Sequence, residues 1–273
     1  MPELPEVETI KRTLNIELKG KKILAAQVNY APIIAEPSVE EFTKQIANKT
    51  IQDMKRLGKW LIFDLDDYVL LSHLRMEGRY LFREVEEPIL KHEHVVFTLD
   101  DGRSFRYQDT RKFGRMYLLK KEEAYIRPPL SLLGLEPWDE KLTVTYLKDK
   151  LKNKTIPIKS ALLDQTIITG IGNIYDNEIL FLSKIRPTKR ANHLTKKELE
   201  CIIENTKNVL REAIELGGTT IRSYHPKEGV NGLFAQKLYV HRKEGEPCSI
   251  CGNPIQKKFI QGRSSYYCSH CQK

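Results

Sequence analysis

Apolar side chains at Val7, Ile10, Leu14 and Leu18 recur every three or four residues and stop at Gly20, which predicts an amphipathic helix over residues 3–19. From Lys22 to about Leu119 the pattern turns to short β runs: Lys22 to Ile34, Ile51 to Met54, Trp60 to Leu65, Tyr68 to Leu74, Arg79 to Phe82, His94 to Leu99 and Ser104 to Tyr107. Asp101-Gly102 is a strong hairpin signal between two of these runs, and Asp66-Asp67 a weaker one. With no helix expected between the runs, they predict a β-sandwich or flattened barrel rather than a parallel sheet.

Beyond a Pro-rich stretch from Arg127 to Pro137, which reads as a linker, the period becomes helical. Helices are expected over Val144 to Leu151, Ile158 to Gln165, Tyr175 to Ser183 and Thr195 to Leu216. Thr195 with Glu198 makes a capping-box pattern, and Gly217-Gly218 a stop. Residues 217–236 are glycine-rich and aperiodic, and are expected to form a mobile loop. The chain thus divides into 1–130, 131–236 and 237–273.

Composition narrows the class. Of 273 residues, 40% are apolar, yet no stretch approaches the ~18 consecutive apolar residues of a membrane span. Glu3, Glu6, Glu8 and Glu17 near the amino end do not fit a signal peptide, so a cytoplasmic protein with no membrane partner is expected. The net charge is +9, and the tail from Lys237 to Lys273 is disproportionately basic, with seven Lys/Arg against two Glu. A polyanion is the natural partner of such a tail.

Four of the five cysteines, Cys248, Cys251, Cys268 and Cys271, fall in the spacing C-x2-C-x16-C-x2-C. In a chain without an export signal this reads as a tetrahedral Zn2+ site rather than two disulfides. Four thiolates leave no open position for water, so one structural ion is expected and the chemistry lies elsewhere.

Pro2 stands directly after the initiator methionine. Removal of Met1 would free a secondary amine, and an α-amino group titrates near ~8, low enough to leave an uncharged nucleophile for imine chemistry. The alternative is a rigid helix start, with Glu3 and Glu6 at the positive end of the helix dipole. Two further features suit a nucleic acid. Gly170-Ile171-Gly172-Asn173 links two predicted helices near Lys152, Lys154 and Lys159, and could admit a phosphate or simply be a glycine-permitted turn. Leu74-Arg75-Met76-Glu77-Gly78 and Arg111-Lys112-Phe113-Gly114 each place an apolar side chain beside a cation at a strand end, as a wedge replacing an extracted base would require; singly, Met76 and Phe113 also suit a core.

The opening run Pro2-Glu3-Leu4-Pro5-Glu6, the segment Ser72 to Gly78, Arg111 to Gly114, Gly170 to Tyr175 and the four cysteines together resemble the bacterial formamidopyrimidine-DNA glycosylases, in order and over nearly the whole chain. Leu4 and Lys159 resemble the purine-lesion branch rather than the endonuclease VIII branch. The resemblance implies an α+β fold: an N-terminal helix with an antiparallel β-sandwich, a helix-two-turn-helix domain, and a C-terminal zinc β-hairpin. It implies a monomeric base-excision repair enzyme, both glycosylase and abasic-site lyase, acting on 8-oxoguanine and ring-opened purines in duplex DNA. Pro2 would attack C1′, Glu3 would serve as acid and base, Glu6 would position the amine or sugar, and Lys59 would contact phosphate and assist β-elimination. Met76, Arg111 and Phe113 would fill the vacated stack, and His94, Lys159, Asn173 and Arg263 would hold the backbone. Arg263 is also assigned to δ-elimination, although a guanidinium with pKa above ~12 is better suited to clamping phosphate. The rivals are an oxidised-pyrimidine glycosylase and a noncatalytic zinc-finger DNA binder. The chain departs from the family pattern at Asp176-Asn177-Glu178, Ala235, His241-Arg242 and Asn153.

Overall fold

The computed structural model describes residues 1–219 and 233–273. It forms two compact units, the first ending at Leu132 and the second beginning at Leu133.

The first unit opens with helix α1 (Leu4–Leu18), followed by β1 (Lys22–Val28), β2 (Ile34–Glu36), α2 (Val39–Ile46), β3 (Lys49–Thr50), β4 (Asp53–Leu57), β5 (Trp60–Asp64), β6 (Tyr68–His73), β7 (Arg79–Glu84), β8 (Glu93–Leu99), β9 (Arg103–Gln108), β10 (Arg115–Lys120) and the short α3 (Lys121–Ala124). One five-stranded sheet has the order β3-β1-β8-β9-β7 and the other β2-β10-β6-β5-β4. All pairings are antiparallel except β2 with β10. Val7, Ile10, Leu14 and Leu18 of α1 enter the same core as Leu61 and Phe63 from one sheet and Phe97 and Phe105 from the other. The sandwich is therefore sealed by the helix that presents the amino end.

Two expectations need correction here. The run Lys22 to Ile34 is not one strand: a 3-10 turn at Ala31–Ile33 interrupts it and starts the separate strand β2. A helix does intervene among the strands. Ser38 caps α2 by accepting from the Glu41 N–H, and Glu40 and Glu41 in its first turn complement its dipole. Only Phe42 and Ile46 of α2 are buried, too few positions to stand out as a period.

The second unit contains α4 (Val144–Leu151), α5 (Ile158–Leu162), α6 (Asn173–Leu182) and α7 (Lys196–Glu215), then the hairpin β11 (Gln256–Ile260) and β12 (Arg263–Tyr267). Its helical core centres on Leu147, Ile158, Leu162, Ile179, Ile202 and Leu210. Thr195 and Glu198 form the expected capping box on α7. Helix α5 ends earlier than predicted because the Asp164 carboxylate accepts from both the backbone N–H and the hydroxyl of Thr166, turning the chain. The centre of the expected mobile loop lies outside the described residues. Its two edges are bonded: Gly218 N–H donates to Ala213 O, and Leu233 N–H to Leu216 O. Among the described residues, no helix is long and apolar enough to cross a membrane.

Candidate DNA-lesion site

Pro2 is buried at the start of α1, and Glu3 and Glu6 are 2% and 3% exposed. Glu3 is the N-cap residue, and its backbone N–H donates to Glu6 Oε2 at 2.9 Å. One carboxylate thereby sets the backbone from which the other projects.

Lys59 is the second residue of a two-residue hairpin turn in which Leu57 pairs with Trp60. Gly58 has φ 56°, a left-handed conformation that a side chain disfavours, so glycine allows the turn to close. Although a lysine in a hairpin turn is ordinarily solvated, Lys59 is only 6% exposed. Its neighbour Trp60 pairs with His73 across β5 and β6, the two rings meeting edge to face at 4.8 Å. Desolvation, and then the charges of Arg75 and Lys59, depress the His73 pKa to about 3. The neutral ring accepts the Arg75 N–H at Nδ1 (3.0 Å). Nothing in the pattern singled out His73; its cross-strand position beside the Lys59 turn does.

The wedge candidates Met76, Arg111 and Phe113 sit on two loops that the fold brings together. Tyr107 lies between them: a Cβ added at Gly78 or Gly114 would fall 2.3 Å or 1.8 Å from its hydroxyl. Thr110 also donates its hydroxyl to the Glu77 carboxylate, joining the loops a second time. Phe113 is 50% exposed and stacks under the Arg111 guanidinium at 4.8 Å. The second loop is shaped by Asp109, which is fully buried and accepts the N–H groups of Arg111, Phe113 and Gly114 at 3.0, 2.9 and 2.8 Å. His94 is 5% exposed and its Nε2 lies 2.7 Å from the Asp109 carbonyl, so its ring braces that loop from behind.

In the second unit, Asn173 begins α6 and its Nδ2 donates to Ser264 O at 3.1 Å, beside Arg263. Arg263 is exposed at the hairpin tip, where Gln261 and Gly262 both have positive φ, as a tight two-residue turn demands. Lys159 is fully buried, unlike the exposed Arg263. Its ammonium faces the Asp176 carboxylate at 3.2 Å and donates to Asn177 Oδ1 at 2.6 Å, so it is already compensated within the unit.

Three of the residues that depart from the family pattern, Asn177, Glu178 and His241, are partners of one another. Asn177 Nδ2 lies 2.7 Å from His241 Nδ1, while Asn177 Oδ1 accepts the Tyr266 N–H. Glu178 accepts the N–H groups of Tyr239, Val240 and His241. Helix α6 thus holds the approach to the hairpin through two consecutive polar residues, Asn177 and Glu178, while Asp176 faces Lys159.

The four cysteines carry their sulfurs within 4.8 Å of one another. Two of the pairs are 3.9 and 3.5 Å apart, Cys248 with Cys271 and Cys251 with Cys268. Tetrahedral Zn–S bonds of about 2.3 Å require sulfurs about 3.8 Å apart, so the quartet fits the ion. Burial and the neighbouring sulfurs push the Cys271 thiol up to about 12, a cost that a bound dication offsets.

Two buried carboxylates at an amino-terminal proline, two joined loops that present Arg111 and Phe113, and a four-cysteine hairpin bearing an exposed arginine suit a protein that handles a nucleic acid. The family models agree along the chain: the formamidopyrimidine-DNA glycosylase N-terminal domain matches residues 1–116, the H2TH domain of the same proteins residues 133–225, and the zinc finger found in FPG and IleRS residues 245–273. The chain belongs to the formamidopyrimidine-DNA glycosylase family. It is 46% identical to the formamidopyrimidine-DNA glycosylase of Bacillus licheniformis, with 100% of both chains covered. Identity to that of Bacillus subtilis is also 46%, over 100% of this chain and 99% of the relative. Among solved structures, a Lactococcus lactis FPG mutant complexed with Fapy-dG-containing DNA matches at TM-score 0.92 and 37% identity, with 100% of each chain covered. The Lactococcus lactis Fpg complex with abasic-site DNA matches at TM-score 0.92 and 38% identity over 99% of each chain.

Proposed function

We propose that this chain excises oxidised purines, 8-oxoguanine and formamidopyrimidines, from duplex DNA and then cleaves the resulting abasic site through an imine on Pro2. It would act as a cytoplasmic monomer on chromosomal DNA. The observation that carries the reading is the buried cluster at the amino end: Pro2 lies directly before the helix cap, with Glu3 and Glu6 held in one fixed arrangement.

In this reading the Pro2 lone pair forms a bond to C1′ of the lesion nucleotide, and the base leaves with the glycosidic electron pair and takes up a proton. The bonded nitrogen gives its proton to Glu3, which passes it to O4′ as the O4′–C1′ bond breaks, and the freed nitrogen lone pair forms the iminium with C1′. Loss of a C2′ proton sends electrons into the iminium and expels the 3′ phosphate; a second elimination expels the 5′ phosphate, and water returns the free amine. Glu6 fixes the Glu3 backbone and the amine. Lys59 contacts phosphate and assists the first elimination. Met76, Arg111 and Phe113 fill the gap, Arg111 facing the orphaned cytosine. His94 supports that loop, and Asn173 and Arg263 serve the DNA backbone, Arg263 as a phosphate clamp; Lys159, expected to join them, is buried against Asp176 and Asn177 and acts instead by holding helix α6, which carries Asn173. Zinc, when bound, supplies the fixed hairpin on which Arg263 stands.

Borohydride trapping on a duplex with one 8-oxoguanine opposite cytosine tests the reading, with undamaged DNA and Pro2→Gly as controls. An adduct specific to the lesion and mapped to Pro2 is expected from protein beginning at Pro2. No adduct and no scission from zinc-loaded protein would sink it. Binding without cleavage, unchanged in Pro2→Gly, would favour the noncatalytic binder. A second reading, oxidised-pyrimidine excision, draws on the likeness to a Lactococcus lactis Fpg complexed with oxidised-pyrimidine DNA, at TM-score 0.91 and 37% identity. Preferential excision of thymine glycol would select it.

A further inference from the structure

Glu8 follows the cluster at the amino end on the same helix, is 9% exposed, and gathers three cations. Lys11 and Arg12, one helical turn on, lie 2.9 and 2.8 Å from its Oε1. Burial opposes its charge, but these cations together with Arg56 hold its pKa down to about 2, so it is a carboxylate at any working pH. Arg56 comes from β4, has a side chain only 7% exposed, and donates from Nε to Glu8 Oε2 at 3.1 Å. From Nη1 it also donates to the Gly58 carbonyl at 2.9 Å. That carbonyl belongs to the peptide bond whose nitrogen is that of Lys59.

Docking the helix does not explain this arrangement. The Asn15 side chain already accepts the Met54 N–H at 3.0 Å, fixing α1 to β4, and two cations on α1 already compensate Glu8. What Arg56 adds is a tie between the carboxylate and one peptide plane of a turn that glycine leaves soft. A lysine side chain carries a large rotamer entropy, so the direction of its backbone is the part of its aim that a protein can most readily fix.

We infer that Arg56, anchored by Glu8, is a positioning residue for Lys59: it locks the Gly58–Lys59 peptide in the frame of the helix that carries Pro2, Glu3 and Glu6. The guanidinium fork spans both acceptors at once, which an ammonium at the same position cannot do. The inference rests on the proposed imine reaction and names a residue pair that governs its elimination step.

The test compares wild type with Arg56→Gln, Arg56→Lys and Glu8→Gln, and uses Asn15→Ala as a variant that loosens the same helix–strand contact without touching the Gly58 carbonyl. Three quantities are measured: single-turnover scission of a duplex with a preformed aldehydic abasic site, affinity for a duplex with a tetrahydrofuran analogue that cannot form an imine, and melting temperature. Arg56→Gln is expected to slow scission about 10- to 100-fold, the scale of a small misplacement of a reacting group. Affinity for the analogue should change by less than about three-fold, so that the loss falls on kcat rather than on binding. Arg56→Lys should remain slow, and Asn15→Ala should lower the melting temperature without a comparable loss of scission. Scission in Arg56→Gln within about two-fold of wild type, or a loss matched by Asn15→Ala, overturns the inference. If Arg56→Gln fails to fold, Glu8→Gln decides, with slower scission at unchanged affinity expected and wild-type scission overturning. A wild-type protein that neither traps nor cleaves removes the proposed reaction and this inference together; normal wild-type cleavage with unaltered variants removes the inference alone.

Discussion

The Asp109 carboxylate accepts the Phe113 backbone N–H at 2.9 Å, and through this bond a fully buried acid holds a half-exposed aromatic ring at the surface. The same oxygen accepts from Gly114, and its partner oxygen from Arg111. Three amide donors converge on one side chain, so the loop is preorganised before any DNA arrives. Such a loop need not spend binding energy on being ordered.

Asp109→Asn tests that arrangement. The amide can replace one acceptor but not both, leaving at least one buried N–H unsatisfied. We expect a loss of about 2 to 3 kcal/mol in stability by urea unfolding, typical of a buried hydrogen bond to a charged group. Affinity for a duplex with an abasic analogue opposite cytosine should fall with it. Unchanged affinity would show that the loop keeps its shape without the carboxylate.

Gly114→Ala should fail for a different reason. Its Cβ would sit 1.8 Å from the Tyr107 hydroxyl and 2.7 Å from the ring carbon bearing it. Overpacking of this kind costs about 1 to 3 kcal/mol or more. Adding Tyr107→Phe removes the hydroxyl but not the ring, so partial recovery of the melting temperature is expected in the double variant. Absence of any recovery would mean that the clash is relieved elsewhere in the loop.

These loops also show what a sequence reveals and what it hides. Helix α1 was legible because Val7, Ile10, Leu14 and Leu18 bury one face, and α7 because Thr195 and Glu198 cap it. The cysteine quartet was legible because metal geometry constrains spacing. Strand β10 (Arg115–Lys120) was not separately predicted, since it directly follows a loop whose cations and glycine mask its short alternation. Asp109 and Arg56 were not legible at all: each acts on backbone groups, and no side-chain period marks such a role. Lys59 emerged only through the resemblance, and its burial depends on strands β4 and β5 pairing around it.

Zinc removal should act on one part of the molecule. Cys248 and Cys268 pack with Val240, Ile255 and Phe181 in one small core, so losing the ion loosens the cysteine loops around it. Chelation, or Cys271→Ser, is expected to abolish tight DNA binding while the β-sandwich retains its far-ultraviolet dichroism, because the sandwich core contains none of these residues. Binding that survives verified loss of zinc would separate the hairpin from DNA recognition.

The last prediction concerns pH. His241 is 7% exposed, and its Nδ1 faces the Asn177 amide at 2.7 Å, with the Tyr266 ring edge-on at 5.3 Å. Burial, and then the charges of Arg242 and Lys159, lower its pKa to about 4. An unfolded histidine titrates near ~6.5. Above that value neither state is protonated and His241 adds no pH dependence. Below it the unfolded chain takes up a proton that the native state refuses, so stability falls with pH until about 4, where the native ring also protonates. The contribution is therefore present at neutral pH and lost on acidification, with a slope of at most ~1.4 kcal/mol per pH unit. His241→Phe should flatten that slope. Urea unfolding of wild type and variant at several pH values between neutrality and about 5, in zinc-replete buffer, reads the difference, and thiolate protonation common to both proteins cancels. At neutral pH a double-mutant cycle with Asn177→Ala should give a coupling of about 1 to 2 kcal/mol, as expected for side chains in direct contact. Parallel slopes in the two proteins, or additive losses, would show that Asn177 and His241 are neighbours without being partners.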